Sequence, residues 1–160
     1  MSYVIAIDVG IKNLGLCVYD FVTNSIVHWA NVSLVTNGRY IPSNNVKYVY
    51  DFINRHSALF LNCHTLVIER QMRANMRIIE AVFETLYFGK CKVISPRCVK
   101  MHYNLSARNY RANKQKAVEW ALEYCLCNPQ VVGEFVNRFK QEKTKQDDMA
   151  DALLLVMYFL

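Results

Sequence analysis

The order of the predicted strands and helices is the feature that most constrains how this chain can fold. Residues 3–9, 14–19 and 26–32 are rich in β-branched side chains and read as three consecutive strands. Short polar or glycine-containing turns separate them, and no helical pattern intervenes. Strands joined in this way form hairpins, so we predict an antiparallel meander at the start of the chain.

Beyond residue 40, helical patterns alternate with short apolar strands. Helices are predicted over residues 44–61, 75–88, 114–127 and from about residue 147 to the end, and strands over residues 65–69 and 91–95. Strands that alternate with helices pair in parallel. We therefore predict an α/β fold with a five-stranded mixed sheet, three antiparallel strands followed by two parallel ones, and helices on both faces. This order resembles that of the ribonuclease-H-like fold.

Length and composition indicate one globular domain over residues 1–160. A chain of 160 residues has the size of an ordinary domain, and its 53% hydrophobic residues can supply a full core. The longest apolar run, residues 152–160, is too short to cross a membrane, and no signal peptide is predicted. The six cysteines lack the paired spacing of a zinc site, so we expect free thiols in a reducing, intracellular compartment.

The distribution of charge points to a polyanionic partner. The formal net charge is +6, and residues 90–145 contain twelve Lys or Arg against four Glu. The last stretch then reverses sign with Asp147, Asp148 and Asp151. A basic surface beside a small acidic cluster suits a polyanion held next to a cation site, with ordinary solubilising charge as the alternative interpretation.

Four carboxylates occupy positions where strands and a helix would otherwise bury apolar side chains. Asp8 ends the run VIAID, Glu69 ends LVIE, and Asp148 and Asp151 share one face of an almost wholly apolar final helix. A buried carboxylate is costly unless it is paired, hydrogen-bonded or bound to a metal. If the two strands are adjacent and the helix crosses their ends, the four acids converge as oxygen ligands for Mg²⁺. Asp147, in the first turn, complements the helix dipole.

The same motifs resemble those of the RuvC-type Holliday junction resolvases, most closely the poxvirus branch, over essentially the whole chain. IDVGIKNLG is similar to the first-strand motif of that family, VIERQ to its second acidic motif and DDMADALL to its C-terminal Asp-x-x-Asp helix. The resemblance implies that Asp8, Glu69, Asp148 and Asp151 are catalytic and bind two Mg²⁺ ions, with Mn²⁺ able to substitute. It leaves Asp147 outside the catalytic pattern.

The resemblance also implies basic and apolar residues that contact DNA. NKQKAVEW is similar to a stretch with a catalytic lysine, best matched by Lys114, with Lys116 as the competing choice. Bacterial members carry an aromatic wedge three residues after the second acid, where this chain has Met72, a side chain that can still insert at a base step. Further basic residues are candidates for contact with backbone phosphates because of their charge, with ordinary surface charge as the alternative. The predicted DNA-contacting residues are Lys12, Asn13, Arg70, Met72, Arg73, Lys100, Arg108, Arg111 and Lys116.

The activity implied by the resemblance is structure-selective cleavage of DNA. A Mg²⁺-dependent endonuclease would resolve four-way and other branched DNA by paired symmetric nicks that leave 5′-phosphate and 3′-hydroxyl ends. The expected setting is resolution of concatemeric viral genomes, in the host-cell cytoplasm or the virion. A homodimer is expected, because two active sites match the two-fold symmetry of a junction. The predicted interface residues, on the helix after Glu69, are Ile78, Ile79, Val82, Phe83 and Leu86.

Three other functions are alternatives at this point. An ATP-binding kinase or chaperone module also has a glycine-rich hairpin after a strand aspartate, but it needs two such domains and has no use for Asp148 and Asp151. No nucleotide cofactor and no membrane partner are therefore expected. A ribonuclease H acting on RNA–DNA hybrids is the closest rival. A branched-DNA-binding module without catalysis is the third, although the presence of all four acids argues against it.

Overall fold

The computed structural model describes residues 2–106, 109–142 and 144–160, and within these ranges five strands form one mixed sheet. The strands are β1 (Tyr3–Asp8), β2 (Leu14–Asp20), β3 (Ser25–Val32), β4 (Cys63–Glu69) and β5 (Cys91–Ile94). Their order across the sheet is β3-β2-β1-β4-β5. β1, β2 and β3 pair antiparallel, whereas β4 pairs in parallel with β1 and β5 in parallel with β4. The predicted mixed sheet is confirmed.

The helices differ from the prediction in extent and in number. They are α1 (Asn45–Arg55), α2 (Ser57–Phe60), α3 (Ala74–Leu86), α4 (Pro96–His102), α5 (Tyr110–Cys127), α6 (Pro129–Val132), α7 (Phe135–Gln141) and α8 (Gln146–Phe159). The single helix predicted over residues 44–61 is wrong, because the chain leaves the helix at His56 between α1 and α2. The sequence does not predict α4, α6 and α7, which have seven, four and seven residues and so show little periodicity.

The core lies in two layers, one on each face of the sheet, as predicted. On one face Val4 and Ala6 of β1 pack beneath α8, whose central residues are fully buried. On the other face Ile5 and Ile7 pack against Phe52 of α1 and against α3. Because successive residues of a strand point to opposite faces, Asp8 continues the series of Val4 and Ala6 and faces α8.

Register places the two strand carboxylates side by side. Ile7 of β1 is paired with Ile68 of β4, so the residues that follow, Asp8 and Glu69, end neighbouring parallel strands at the same edge of the sheet. Val67 packs in the layer beneath α8, and Glu69 therefore points to that layer too. Strand order, register and the alternation of side chains together bring these two acids into the layer that α8 covers.

A glycine on β2 lets α8 approach the sheet at this point. Gly15 is the cross-strand partner of Asp8. A Cβ atom at Gly15 would lie 2.1 Å from the backbone oxygen of Asp148 and 3.1 Å from the Cβ of Ala152. A side chain there would push the first turn of α8 away, so this glycine keeps Asp148 close to Asp8. In the part of the chain that the structure describes, no helix combines the length and apolarity needed to cross a membrane.

Candidate active site

A cleft of about 490 Å³ opens at the edge of the sheet where β1 and β4 end and α8 begins. The predicted site residues in its lining are Asp8, Lys12, Asn13, Glu69, Arg70, Met72, Arg73, Lys100, Lys114, Asp148 and Asp151. The cleft therefore brings together the four predicted carboxylates, one of the two candidate catalytic lysines and six of the predicted DNA-contacting residues. Segments far apart in the sequence meet here because two parallel strands end under one helix.

Carboxylate oxygens from three elements converge at the floor of the cleft. One oxygen each from Asp8, Glu69 and Asp151 lies within 4.8 Å of the other two. Asp148 lies one helical turn before Asp151 on the same face of α8. Its Oδ2 atom is buried, and the described residues offer it no hydrogen-bond partner. A buried carboxylate oxygen without a partner is costly, so this atom is available to a bound cation.

Burial raises the pKa values of all four carboxyl groups, and the charges of neighbouring acids add to this effect. For Asp8 burial has the largest effect, followed by the charges of Glu69, Asp151 and Asp148, and its pKa lies well above the ordinary range. Burial and then the charge of Asp151 raise the pKa of Glu69 to about 7. Burial and then the adjacent Asp147 raise the pKa of Asp148 to about 6. Burial also raises the pKa of Asp151.

The donor set of the cleft fits a hard divalent cation. Each candidate ligand is a carboxylate oxygen, the donor that Mg²⁺ and Mn²⁺ take up in proteins, whereas softer metals select sulfur or imidazole. A divalent charge among Asp8, Glu69, Asp148 and Asp151 would offset the repulsion that raises their pKa values. The residues present therefore fit the predicted metal site, with the orphaned oxygen of Asp148 as a structural sign of it.

Lys100 belongs to the carboxylate cluster rather than to its rim. Its Nζ atom lies 4.0 Å from Oδ1 of Asp151, and its charge lowers the pKa values of Asp8, Glu69 and Asp151 against the larger effect of burial. Sequence reasoning predicts Lys100 only as a DNA contact. The role was missed because α4, which carries Lys100 on its last turn, is too short to be predicted and placed.

Lys114 lies beside the carboxylates and is held in place by Asp147. Its ammonium group pairs with Asp147 and lies 5.0 Å from the centre of the Tyr110 ring. Burial is the largest single effect and opposes the charge, but the hydrogen bonds and charges of Asp147 and Tyr110 together outweigh it, so the pKa of Lys114 is raised. Lys116, the competing lysine, is exposed, lies outside the cleft lining and donates to the carbonyl of Ser106. The geometry therefore favours Lys114 as the lysine of the site.

Two of the predicted DNA contacts lie elsewhere, and one lies outside the described residues. Arg111 lines a neighbouring groove along α5, together with Lys145. Lys116 is exposed on the same helix. Arg108 is not among the described residues. Lys145 lines both the cleft and the groove, and sequence reasoning missed it because it is one of many lysines in a basic tract.

The predicted dimer residues on α3 differ in how deeply they are buried. Ile79 and Phe83 are fully buried against the sheet, so the prediction that they form an interface is wrong: their side chains face the core of their own chain. Ile78 and Leu86 are 49% and 52% exposed, and Val82, about one turn from each of them, is partly buried. Periodicity alone marks all five as apolar and does not say which side of the helix meets the sheet.

The sequence matches one family model along nearly its whole length. The model is that of the poxvirus A22 protein, and the match spans residues 2–160. No curated protein matches the sequence significantly.

Several solved structures share the fold of this chain. The yeast mitochondrial Holliday junction resolvase superposes with a TM-score of 0.73 at 18% identity, over 96% of this chain and 77% of its own. The fowlpox virus Holliday junction resolvase gives 0.69 at 18% identity, over 98% of this chain and 96% of its own. RuvC from T. thermophilus, in complex with a Holliday junction substrate, gives 0.56 at 14% identity, over 99% and 94%. These likenesses confirm the predicted ribonuclease-H-like fold.

Proposed function

Because the chain belongs to the poxvirus A22 protein family, we propose that it is a Holliday junction resolvase. The observation that carries this proposal is the convergence of Asp8, Glu69 and Asp151, with Asp148 beside them, in a cleft rimmed by basic side chains. A carboxylate cluster alone fits many metal-dependent enzymes. The basic rim indicates that the substrate is a polyanion. The fold shared with three junction resolvases supports branched DNA as that substrate.

The reaction proposed is hydrolysis of one phosphodiester in each of two symmetry-related strands, leaving 5′-phosphate and 3′-hydroxyl ends. Asp8, Glu69, Asp148 and Asp151 would hold two Mg²⁺ ions, with Mn²⁺ able to substitute. Such ions supply an activated water and neutralise charge at the leaving oxygen. The carboxylates are prepared for this role by their position, because strand ends and a buried helix hold them with little freedom to move apart.

The remaining side chains of the cleft would orient the substrate. Lys114, held by Asp147, would provide a positive charge near the cleaved phosphate, which gains negative charge in the transition state. Arg70, Arg73 and Lys12 lie on the rim, where they can contact backbone phosphates on either side of the cleaved bond. Met72 is 85% exposed at the same rim, and we assign to it the role of an apolar side chain that enters a base step.

We also propose that the protein acts as a homodimer through the exposed apolar residues of α3. Ile78 and Leu86 expose apolar surface there, and a two-fold axis through this surface would present two clefts to the two strands of a junction. Membership of a poxvirus family supports a role in resolving concatemeric viral genomes, in the cytoplasm of the infected cell or in the virion.

A cleavage assay on matched substrates tests the proposed function. A four-way junction, a flap, a linear duplex and an RNA–DNA hybrid of the same sequence are incubated with the protein and Mg²⁺, and products are mapped at nucleotide resolution. The expected result is paired symmetric nicks in the junction, with little cutting of the duplex or the hybrid. Preference for the hybrid would identify a ribonuclease H, and tight junction binding without cleavage would identify a binding module.

Two carboxylate variants connect that activity to the site. Asp8→Asn keeps the size of the side chain and removes one charge from the cluster, so we expect cleavage to fall by at least about 100-fold while junction binding persists. Asp51→Asn is the matched control, because Asp51 pairs with Lys47 on the surface of α1. Cleavage by Asp8→Asn at the rate of the control would exclude the proposed metal site.

A further inference from the structure

Glu80 on α3 is a buried carboxylate that the proposed chemistry does not use. Only 3% of the residue is exposed, and it lies outside the cluster formed by Asp8, Glu69 and Asp151. Its neighbours on the helix, Ile79 and Ala81, are respectively buried in the core and exposed. A charged side chain at such a depth is retained only where hydrogen bonds and an ion pair satisfy it.

The partners of Glu80 are Arg70 and Gln71, which directly follow Glu69 in the chain. The Oε2 atom of Glu80 accepts the backbone N–H of Gln71 at 2.7 Å. Its Oε1 atom lies 3.4 Å from Nε of Arg70, and the Gln71 side chain donates to the carbonyl of Glu69 at 2.9 Å. One carboxylate on α3 thus holds the two residues that directly follow the strand ligand Glu69.

This arrangement fixes the direction in which the rim of the cleft projects. Met72 directly follows Gln71, and its side chain is 85% exposed, so the backbone on either side sets where it points. Arg70 and Arg73 flank it and also line the cleft. A buried apolar residue at position 80 could fill the same volume, but it could neither accept the Gln71 N–H nor orient the Arg70 guanidinium.

We propose that Glu80 is a positioning residue for junction opening. By holding Arg70 and Gln71, it orients residues 70–73 so that Met72 enters the centre of a four-way junction while Arg70 faces the DNA backbone. This inference rests on the proposed function. Since Glu80 and the exposed Ile78 lie on the same helix, the proposed dimer would also set the distance between the two Met72 side chains.

The test separates opening of the junction from cleavage of an already open one. Glu80→Ala removes both contacts, whereas Glu80→Gln keeps an oxygen for the Gln71 N–H and loses the charge that pairs with Arg70. Glu84→Gln is the control, because Glu84 is exposed on α3 one turn further along. Each variant is assayed with Mg²⁺ on a junction with a fully paired centre and on the same junction with mismatched central base pairs. Opening is measured directly, in an Asp8→Asn background, from the fluorescence of 2-aminopurine at the centre.

The expected result is a loss confined to the paired junction. Glu80→Ala should cut that substrate about 10-fold or more slowly, the scale seen when an outer-shell partner is removed, and should lose the fluorescence increase. It should cut the mismatched junction at close to the wild-type rate, with Glu80→Gln intermediate and Glu84→Gln unchanged. If Glu80→Ala does not fold, as judged by thermal unfolding, the comparison is decided by Glu80→Gln.

Two outcomes would overturn the positioning role. Equal losses on both junctions would indicate general damage to the fold, and wild-type behaviour on both would show that Glu80 does not act on the segment. In either case the wild-type protein still cuts both junctions, and the proposed function stands. A wild-type protein that cuts neither junction would instead contradict the proposed function itself.

Discussion

Burial and the closeness of like charges determine how the individual carboxylates of the site behave. One oxygen each of Asp8, Glu69 and Asp151 lies within 4.8 Å of the other two. The positive charge of Lys100, whose Nζ atom lies 4.0 Å from Oδ1 of Asp151, offsets only part of their repulsion. The folded chain therefore holds these groups in positions that favour either protons or a divalent cation. Both the stability and the metal affinity of the protein should depend on pH, because these carboxylates are buried and lie close together.

We expect the metal-free protein to lose stability as the pH rises through the range in which Glu69 ionises. The pKa of Glu69 is about 7 in the folded chain, against an ordinary value of 4.5. Between these values the folded state binds more protons than the unfolded chain, so the free energy of unfolding falls as the pH rises. Asp148, with a pKa raised to about 6, acts in the same direction. Saturating Mg²⁺ should restore stability at pH 7.5.

Thermal unfolding with EDTA and with Mg²⁺, at pH 5 and pH 7.5, measures this effect. Each kcal/mol corresponds to about 2–4 °C in Tm for a domain of this size. Burial lowers the pKa of His28 to about 4, which acts in the opposite direction, so the comparison is made between the wild type and Glu69→Gln, both of which contain His28. Parallel pH profiles for these two proteins without metal would show that Glu69 is not the group responsible.

Lys114 and Lys116 should separate cleavage from simple charge. Lys114 lies in the cleft and is oriented by Asp147, whereas Lys116 is exposed outside it. We expect Lys114→Ala to cut bound junctions about 100-fold more slowly, the typical loss when one oriented donor is removed. Lys116→Ala should leave that rate unchanged. Single-turnover cleavage with saturating protein measures it, and similar rates for the two variants would reject the choice of Lys114.

The position of one helix, α8, decides the geometry of the site at the scale of secondary structure elements. Gly15 leaves space for its first turn, and the buried Trp29 on β3 donates from Nε1 to the carbonyl of Met149 at 2.8 Å. The Trp29 ring also stacks on Phe139 of α7, with ring centres 4.6 Å apart. Met149 lies between Asp148 and Asp151, so β3 and α7 help to hold two of the proposed metal ligands without contacting the carboxylate cluster.

Trp29→Phe should therefore lower the metal affinity of the folded protein in addition to its free energy of unfolding. It keeps an aromatic ring against Phe139 but removes the donor to Met149, with an expected loss of about 1–2 kcal/mol in the free energy of unfolding. Mn²⁺ affinity, measured by calorimetry, should fall by about 10-fold, as when an outer-shell partner is lost. Trp120→Phe is the matched control, because Trp120 stacks on Tyr124 in a partly exposed cluster. Equal metal affinities in the two variants would contradict this role of Trp29.

The elements with strong periodicity could be predicted from the sequence, and the contacts between them could not. β1 to β5 and α8 carry clear apolar patterns, and the interruption of those patterns by Asp8, Glu69 and Asp151 marks the site. The short helix α4, and with it Lys100 among the carboxylates, carries too few residues for a period to appear. The pair formed by Lys114 and Asp147 joins residues 33 apart, and no local pattern links them.

Helix α3 shows the same difference between what the sequence predicts and what only the structure shows. Its apolar residues are evident in the sequence, but whether a given residue meets the sheet or solvent depends on how the helix is rotated against β4 and β5. Ile79 and Phe83 turn out to be core, while Ile78 stays half exposed. Glu80 is the opposite case, a charged residue that is buried. A glutamate on a helix usually faces water, and the position of Gln71, which donates its backbone N–H to Glu80, is known only from the structure.

For the molecule as a whole, the account depends on symmetry. One cleft cuts one strand, and resolution of a junction requires two cuts placed by a two-fold axis. We place that axis at the exposed apolar surface of α3, which includes Ile78 and Leu86. Phe88, two residues beyond the end of the helix, is 90% exposed as well.

A charge on this surface should separate the protomers without unfolding them. We expect the wild type to sediment as a dimer and Leu86→Asp as a monomer, because a carboxylate cannot be buried without a partner. Leu126→Asp is the matched control, since Leu126 is a 67% exposed leucine on α5. Sedimentation velocity at micromolar concentration measures both. A dimer that persists in Leu86→Asp, or one broken equally by Leu126→Asp, would place the interface elsewhere.

The most direct test of the central claim uses a supercoiled plasmid that extrudes a cruciform. With Mg²⁺, the account predicts that the wild-type protein converts this plasmid to a linear form through two symmetric nicks at the cruciform base, while Asp8→Asn leaves it supercoiled. A plasmid without the inverted repeat should stay intact. Accumulation of nicked circles without linear product, or cleavage that does not depend on the cruciform, would contradict the assignment of this protein as a junction resolvase.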